Sequence, residues 1–313
     1  MRTVFLGTSE FAAAILRRLA DSPHRPLLVV TRPDRPSGRG RRCSAPPVAD
    51  AARELEIELD QPASVNDEPA RARIAGARPD AVCVCAFGAL IKAPLLDEHS
   101  MLNVHPSLLP RWRGAAPIER AIIHGDSETG VSIMRVTAGL DSGPVCLQAR
   151  EAIGEQDTYG TLAARLLAIG GELLVRALDR RPRCSEQDDS LASYAEKISS
   201  ADRALDPGRP AVELERVVRA LAPHIGARVQ LPDGTWLGVA RARVIDHGPG
   251  EGHHGPGEGH HGPGEGDPPS GIVSLQGPSP VLGCTPGSLE LSVVQPPGRR
   301  QMSGADFLRG RRP

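Results

Sequence analysis

Aromatic residues make up only 3% of the 313-residue chain: two Trp, two Tyr and four Phe. A core built from this sequence therefore depends on Leu, Val, Ile and Ala. Charge of one sign is also lacking. A formal net charge of -1 excludes a protein that is polybasic throughout, so any affinity for polyanions must come from local patches. Long hydrophobic runs are missing as well. The N-terminal run from Val4 stops at Gly7, far short of the ~20 residues of a membrane span or the h-region of a signal. A cytoplasmic location is expected. Cys43, Cys83, Cys85, Cys146, Cys184 and Cys284 follow no framework spacing and are expected as reduced thiols. Finally, Gly7-Thr-Ser-Glu is not the G-x-G-x-x-G fingerprint, which removes support for a nicotinamide cofactor.

What is present is a run of buried strands separated by helical stretches. Residues 2–6 read as a strand ending at Gly7, with Thr8 or Ser9 capping a helix over Glu10 to Ala20. Leu27 to Thr31 is a second strand, Ala49 to Leu59 a helix and Asp80 to Phe87 a continuous apolar strand. Strands without alternation imply a parallel sheet covered on both faces. A helix follows at Thr161 to Leu178, then a polar stretch, then a helix at Ala211 to Leu221. Beyond it the pattern turns to short strands (Val229–Leu231, Trp236–Val244, Gly271–Leu275, Ser288–Val294), as in a small β-barrel. The expected organisation is an α/β Rossmann-like catalytic domain over 1–190, a linker over 191–205 and an OB-like C-terminal domain over 206–313.

Inside the second domain the heptad His-Gly-Pro-Gly-Glu-Gly-His occurs at 247–253 and 254–260, and a third copy, 261–267, ends in Asp267. With no apolar residue it cannot bury a face, so a disordered insertion is expected.

The chemistry concentrates in Met101-Leu-Asn-Val-His-Pro-Ser-Leu-Leu-Pro-Arg-Trp-Arg-Gly. On a strand of period two, Asn103 and His105 face one side. At a strand's carboxyl end, that is the usual ligand position of an open α/β sheet. Asp141, between Gly139 and Gly143 in the turn after a strand at Val131–Val136, is a third candidate. The glycines there are expected to supply backbone conformations closed to other residues. Turn Asp and lone His residues are more often structural. Their placement at the ends of separate strands is what points to a site. His124 reads as a helix C-terminal residue facing the dipole, and His24 and His99 as loop residues without partners.

Asn103-Val-His-Pro-Ser-Leu-Leu-Pro-Arg-Trp-Arg-Gly-Ala-Ala-Pro117, with Gly139-Leu-Asp-Ser-Gly143 downstream, resembles the signature of formyltransferases that use 10-formyltetrahydrofolate. Across nearly the whole chain the likeness is to the methionyl-tRNA formyltransferase family. It includes Val4-Phe-Leu-Gly-Thr-Ser-Glu-Phe11, the loop Thr31-Arg-Pro-Asp-Arg-Pro-Ser-Gly-Arg-Gly40, Ser193-Tyr-Ala-Glu-Lys-Ile198 and Gln295-Pro-Pro-Gly-Arg-Arg-Gln-Met-Ser-Gly-Ala-Asp-Phe307. The resemblance implies a Rossmann-like domain with an OB-like barrel and a catalytic Asn103, His105 and Asp141. It also implies folate contacts at Ser107, Leu108, Leu109 and Pro110, with Phe87, Gly88 and Leu140, and no metal. Asn103 would donate to the oxyanion formed as the α-amino group attacks the formyl carbon. His105 would donate there too or pass a proton to the departing folate nitrogen. Asp141 would orient His105 and accept the amine's proton. Three departures stand out: Phe87 replaces a Tyr, Pro223-His-Ile-Gly-Ala-Arg228 replaces a Trp-rich segment, and the histidine repeat has no counterpart.

Arg32, Arg35, Arg39, Arg41 and Arg42 face only Asp34 in the first basic patch, and Arg299 and Arg300 begin a second near the C-terminus. A solvated charged loop is the plainer reading of such patches. The family's arginine loop meets the tRNA acceptor end, with Arg39 the matching arginine. Together with the two basic patches this gives Arg39, Arg41, Arg42, Arg35, Arg299 and Arg300 as the candidate contacts to methionyl initiator tRNA. A monomer is expected. The competing readings are relatives that act on a sugar nucleotide, a ribonucleotide or formylfolate itself, and a non-enzymatic OB module or histidine-rich metal carrier.

Overall fold

Thr3 to Gly7 are buried on both faces, as befits the middle of a sheet covered by helices. In the computed structural model, which describes residues 1–37, 42–245, 271 and 273–311, this segment is β1 (Thr3–Gly7). It runs into α1 (Glu10–Ala20), capped by the Ser9 hydroxyl, which accepts from the Ala12 N–H. The buried face of α1 holds Phe11, Ile15, Leu16 and Leu19. Next come β2 (Pro26–Val30), a hairpin of β3 (Arg35–Ser37) and β4 (Arg42–Ser44), and α2 (Pro47–Glu54). β5 (Glu58–Asp60), α3 (Glu68–Gly76), β6 (Ala81–Cys85), α4 (Ala93–Glu98) and β7 (Met101–His105) follow. The helix expected to Leu59 thus ends early, and its last residues form β5 against β2. Edge pairing outweighs helix propensity there.

The chain continues through β8 (Arg113–Gly114), α5 (Pro117–His124), β9 (Glu128–Arg135), β10 (Val145–Ala152), α6 (Tyr159–Arg180) and β11 (Tyr194–Ala195). Seven strands form one sheet in the order β10-β9-β7-β6-β1-β2-β5. The five from β5 to β7 are parallel. β9 and β10 are antiparallel to their neighbours. The turn between β9 and β10 is too short for the crossover that parallel pairing demands. Strand order reverses at β1, with β2 on one side and β6 on the other. The carboxyl ends there form the crevice where open α/β sheets bind ligands.

Contacts divide the chain into two units: 1–118, 127–153 and 162–197, and 119–126, 154–161 and 198–313. The second unit begins its long C-terminal stretch with α7 (Ala211–Leu221), then β12 (Ala227–Gln230), β13 (Trp236–Ile245), β14 (Val273–Ser274), β15 (Val281–Gly283), β16 (Ser288–Gln295), β17 (Met302–Ser303) and α8 (Gly304–Arg309). The strands form an antiparallel sheet in the order β12-β13-β16-β15-β14, with β17 also on β16. Register shifts between β13 and β16 increase local twist and curl the sheet into an OB-like half-barrel. Leu214, Val217, Val218 and Leu221 of α7 fill its concave side with Leu237, Leu282, Leu289, Leu291 and Phe307. Each fully buried aliphatic side chain contributes about 1.5–3 kcal/mol, enough to replace the scarce aromatics. The histidine repeat at 247–267 lies outside the described residues.

The cysteines require a correction. Cys146 and Cys184, 38 residues apart, are joined in a disulfide with Cα atoms 3.9 Å apart. Paired hydrogen bonds between Val145 and Ser185 bring these neighbours together, a tertiary pairing that spacing in sequence does not encode. Cys43, Cys83, Cys85 and Cys284 form no disulfide among the described residues. Burial pushes the Cys83 thiol up to about 12 and raises Cys85 further, which makes both inert core residues. No helix among the described residues is long and apolar enough to cross a membrane.

Candidate active site

β7 ends at the carboxyl edge of the sheet, paired in parallel with β6 and antiparallel with β9. Asn103 is partly exposed and its side-chain amide has no hydrogen-bond partner among the described residues, so its two N–H donors are free. His105 is 4% exposed. Its Nε2 lies 2.8 Å from the Trp112 carbonyl oxygen. A carbonyl only accepts, so Nε2 carries the proton and donates. The other nitrogen, Nδ1, faces Asp141 Oδ2 at 3.6 Å. Sequence alone left this approach open; the fold closes it.

Asp141 sits in the turn between β9 and β10. Its Oδ2 accepts from the Gly114 N–H at 2.9 Å, and its Oδ1 has no partner among the described residues. The backbone geometry differs from expectation. Asp141 itself adopts the left-handed conformation, φ +46°, and Gly139 and Gly143 do not have positive φ. Aspartate tolerates that region better than most residues. Gly143 is needed for space instead, since a Cβ there would lie 2.0 Å from the Arg135 carbonyl oxygen.

The loop after β7 is pinned to the sheet. The buried Ser132 hydroxyl on β9 donates to the Ser107 carbonyl at 2.6 Å and accepts from the Leu109 N–H at 3.1 Å and from Gln148 Nε2 at 2.9 Å. Gln148 also donates to the Leu109 carbonyl. The Ser107 side chain is fully buried and donates to the Arg111 carbonyl at 2.6 Å. An imidazole and a carboxylate thus meet beside a pinned loop, with the open amide of Asn103 two residues before His105 on the same strand. Such a group can stabilise a developing oxyanion and move a proton. That is the chemistry of acyl transfer to an amine.

A family model described as formyl transferase matches residues 1–178, and one described as formyl transferase, C-terminal domain, matches 197–312. The chain belongs to the formyl transferase family. It is 40% identical over 314 residues to the methionyl-tRNA formyltransferase of Methylococcus capsulatus, covering 98% of this chain and 96% of that one. Among solved structures, the N-formyltransferase of Helicobacter canadensis, in complex with folinic acid and dTDP-3-aminofucose, has the same fold. Its TM-score is 0.64 at 13% identity, over 93% of this chain and 98% of that one. HypX of Aquifex aeolicus in complex with tetrahydrofolic acid matches with a TM-score of 0.62 at 15% identity, over 98% of this chain and 47% of that one.

The remaining residues singled out in this formyl transferase chain fall as follows. Leu109 is buried and Leu108 and Pro110 are partly buried beside the pinned loop. Phe87 is buried in the apolar cluster with Leu6, Val84 and Ile91, and its carbonyl accepts from the Thr8 hydroxyl at 2.7 Å. Gly88 follows with φ +70°, and Leu140 is 63% exposed next to Asp141. Of the basic residues, Arg39 and Arg41 lie outside the described residues, and Arg42 enters only through its backbone in β4. Arg35, Arg299 and Arg300 are exposed. None of the three forms an ion pair among the described residues. Arg309 and Arg311, by contrast, pair with Asp306 and Asp233.

His24 is a correction: it is buried, with Nδ1 2.9 Å from the N-terminal amine and Nε2 2.8 Å from Asp179 Oδ1. Those partners are far from it in sequence, or at the very terminus, which is why a local reading missed them. His99 Nε2 is buried without a hydrogen bond, and burial lowers its pKa, with Glu98 opposing. His124, at the end of α5, contacts Asp126 at 2.9 Å. In the 223–228 segment, His224 stacks on Tyr159 with ring centroids 3.7 Å apart and reaches Glu119 at 3.0 Å, so the departure from the family pattern is packed. The sequence reading missed the Trp112 carbonyl, the Gly114 N–H, Ser132, Gln148 and Gln187. Backbone groups leave no residue-type signal, and the three side chains carry no motif of their own.

Proposed function

We propose that this protein transfers the formyl group of 10-formyltetrahydrofolate to the α-amino group of methionyl initiator tRNA. The observation that carries the chemistry is the approach of His105 Nδ1 to Asp141 Oδ2, 3.6 Å apart, beside the unpartnered Asn103 amide. The tRNA acceptor rests on the full-length likeness to methionyl-tRNA formyltransferases, which the exposed Arg35, Arg299 and Arg300 support. Arg39, Arg41 and Arg42 are proposed as tRNA contacts as well.

The formyl donor is consumed as a substrate. Its proposed seat runs along Ser107–Pro110, with Phe87, Gly88 and the exposed Leu140, whose apolar surface suits a flat ring system. This fits the solved relatives with folinic acid and tetrahydrofolic acid. As the amine attacks the formyl carbon, the Asn103 amide donates to the developing oxyanion. Asp141 Oδ1, the oxygen without a partner, accepts the proton shed by the nitrogen. Because His105 Nε2 is committed to the Trp112 carbonyl, the ring exchanges protons through Nδ1 with Asp141. It reaches the leaving nitrogen through that carboxylate or by releasing Trp112.

The test compares formyl transfer to charged initiator tRNA, free methionine and an amino-sugar nucleotide. Transfer confined to the charged tRNA is expected. Preference for the sugar nucleotide would overturn the reading in favour of the sugar branch of the fold.

A further inference from the structure

Gln187 lies in the polar stretch after α6, between the disulfide at Cys184 and the pairing of β11 with β8. Its Nε2 donates to the Asp141 carbonyl at 2.8 Å and to the Gly143 carbonyl at 2.7 Å. Its Oε1 accepts from Arg113 Nε at 3.0 Å and Nη2 at 2.9 Å. Two donors and two acceptor sites are thereby all used. The side chain of Arg113 is 4% exposed and also meets Asp189 Oδ1 at 2.7 Å. One residue further on, the Gly114 N–H donates to the Asp141 carboxylate.

We infer that Gln187 is a positioning residue for the reaction, an amide clamp that fixes the backbone of the Asp141 turn so that its carboxylate meets His105. The inference rests on the reading of Asp141 as the proton acceptor. Its physical basis is that Asp141 is in the left-handed region, φ +46°. Such a conformation persists only where its surroundings determine it. The clamp holds the turn by two carbonyls, and Gly114 holds it by the carboxylate. The same amide orients the desolvated guanidinium from which the Gly114 strand extends. Both hands of the clamp therefore move together, and the polar segment after α6 becomes part of the site.

Two substitutions separate positioning from support of Arg113. Gln187→Met keeps the volume and removes every hydrogen bond. Gln187→Glu gives Arg113 a full carboxylate partner but offers no donor to the two carbonyls. Steady-state formyl transfer and thermal melting are measured for both, with Asp141→Asn in parallel. A displaced catalytic group costs roughly tenfold to a hundredfold, so both Gln187 variants are expected to lose that much kcat with KM for the formyl donor within about twofold. The Gln187→Glu variant keeps the pair with Arg113 and is expected to fold with a melting temperature below wild type, which keeps the test valid if Gln187→Met does not fold. Wild-type kcat in Gln187→Glu overturns the inference, because pairing with Arg113 is then the whole role. Loss of kcat in Asp141→Asn with wild-type kcat in both Gln187 variants overturns the clamp alone. Wild-type kcat in Asp141→Asn overturns the reading beneath it, and the clamp with it.

Discussion

At the scale of single residues, the site consists of groups whose hydrogen bonds are either left open or already spent. Asn103 and Asp141 Oδ1 are open, and His105 Nε2 is spent on Trp112. That division makes Asn103→Ala and Asp141→Asn the informative changes. Each is expected to lower formyl transfer by about a hundredfold to a thousandfold, the usual cost of one preorganised donor or proton acceptor. Melting temperature should stay near wild type. The double variant should lose much less than the product, since the groups act together; a fully multiplicative loss would show that they act independently. Gly143 makes a different prediction. With a Cβ 2.0 Å from the Arg135 carbonyl, Gly143→Ala is expected to destabilise by about 1–3 kcal/mol and to lower activity by moving the Asp141 turn. Urea unfolding and kcat together check it.

Elements matter here through the way loops are tied to strands. β9 contributes little chemistry, yet its Ser132 hydroxyl engages the Ser107–Leu109 loop and Gln148 of β10 in three hydrogen bonds. Ser132→Ala leaves buried polar groups without partners, a cost of about 1–3 kcal/mol. The loop should lose its register, and KM for the formyl donor should rise more than kcat falls. An unchanged KM would mean that the loop does not seat the donor. How much of this was legible depends on the element. The strand end carrying Asn103 and His105 was read from pattern, and both helices at Glu10–Ala20 and Ala211–Leu221 were read with their boundaries. β5 and the pairing of β9 with β7 were not, because pairing between strands remote in the chain depends on what lies alongside. Ser132 and Gln148 were invisible for the same reason: a buried serine in an apolar strand looks like any small residue until the loop it holds is in place.

For the whole molecule, the two units offer separate handles. In the second unit, burial alone would raise the Asp202 carboxyl. The Arg120 guanidinium and the Ser199 hydroxyl and N–H outweigh it and hold the pKa at about 2, against an ordinary 3.8. A carboxylate depressed on folding contributes stability above its unfolded value and loses it as pH falls through the folded one. The contribution of Asp202 is therefore present above about pH 4 and lost between there and about pH 2. Acid unfolding of Asp202→Asn should be flatter over this window, and an identical acid profile would rule the contribution out. The histidine repeat at 247–267 has no apolar residue, and surface changes that remove no packed contact stay within about 0.5–1 kcal/mol. Replacing it with a short Gly-Ser turn should leave formyl transfer within a few-fold of wild type, in the presence or absence of added zinc. A collapse of activity on deletion would make the repeat functional.

The sequence by itself determined the two kinds of architecture, the Asn103–His105 face and the candidacy of Asp141. Those follow from local periodicity, turn chemistry and a motif contained in neighbouring residues. Only the tertiary structure decided that Asp141, not its glycines, takes the left-handed backbone. It also decided that His105 is locked to Trp112, that Cys146 meets Cys184 and that Gln187 reaches back to Asp141 over 46 positions. These contacts join segments remote in the chain. Their energies depend on burial and on which neighbour satisfies each donor, and neither is fixed until the sheet has formed.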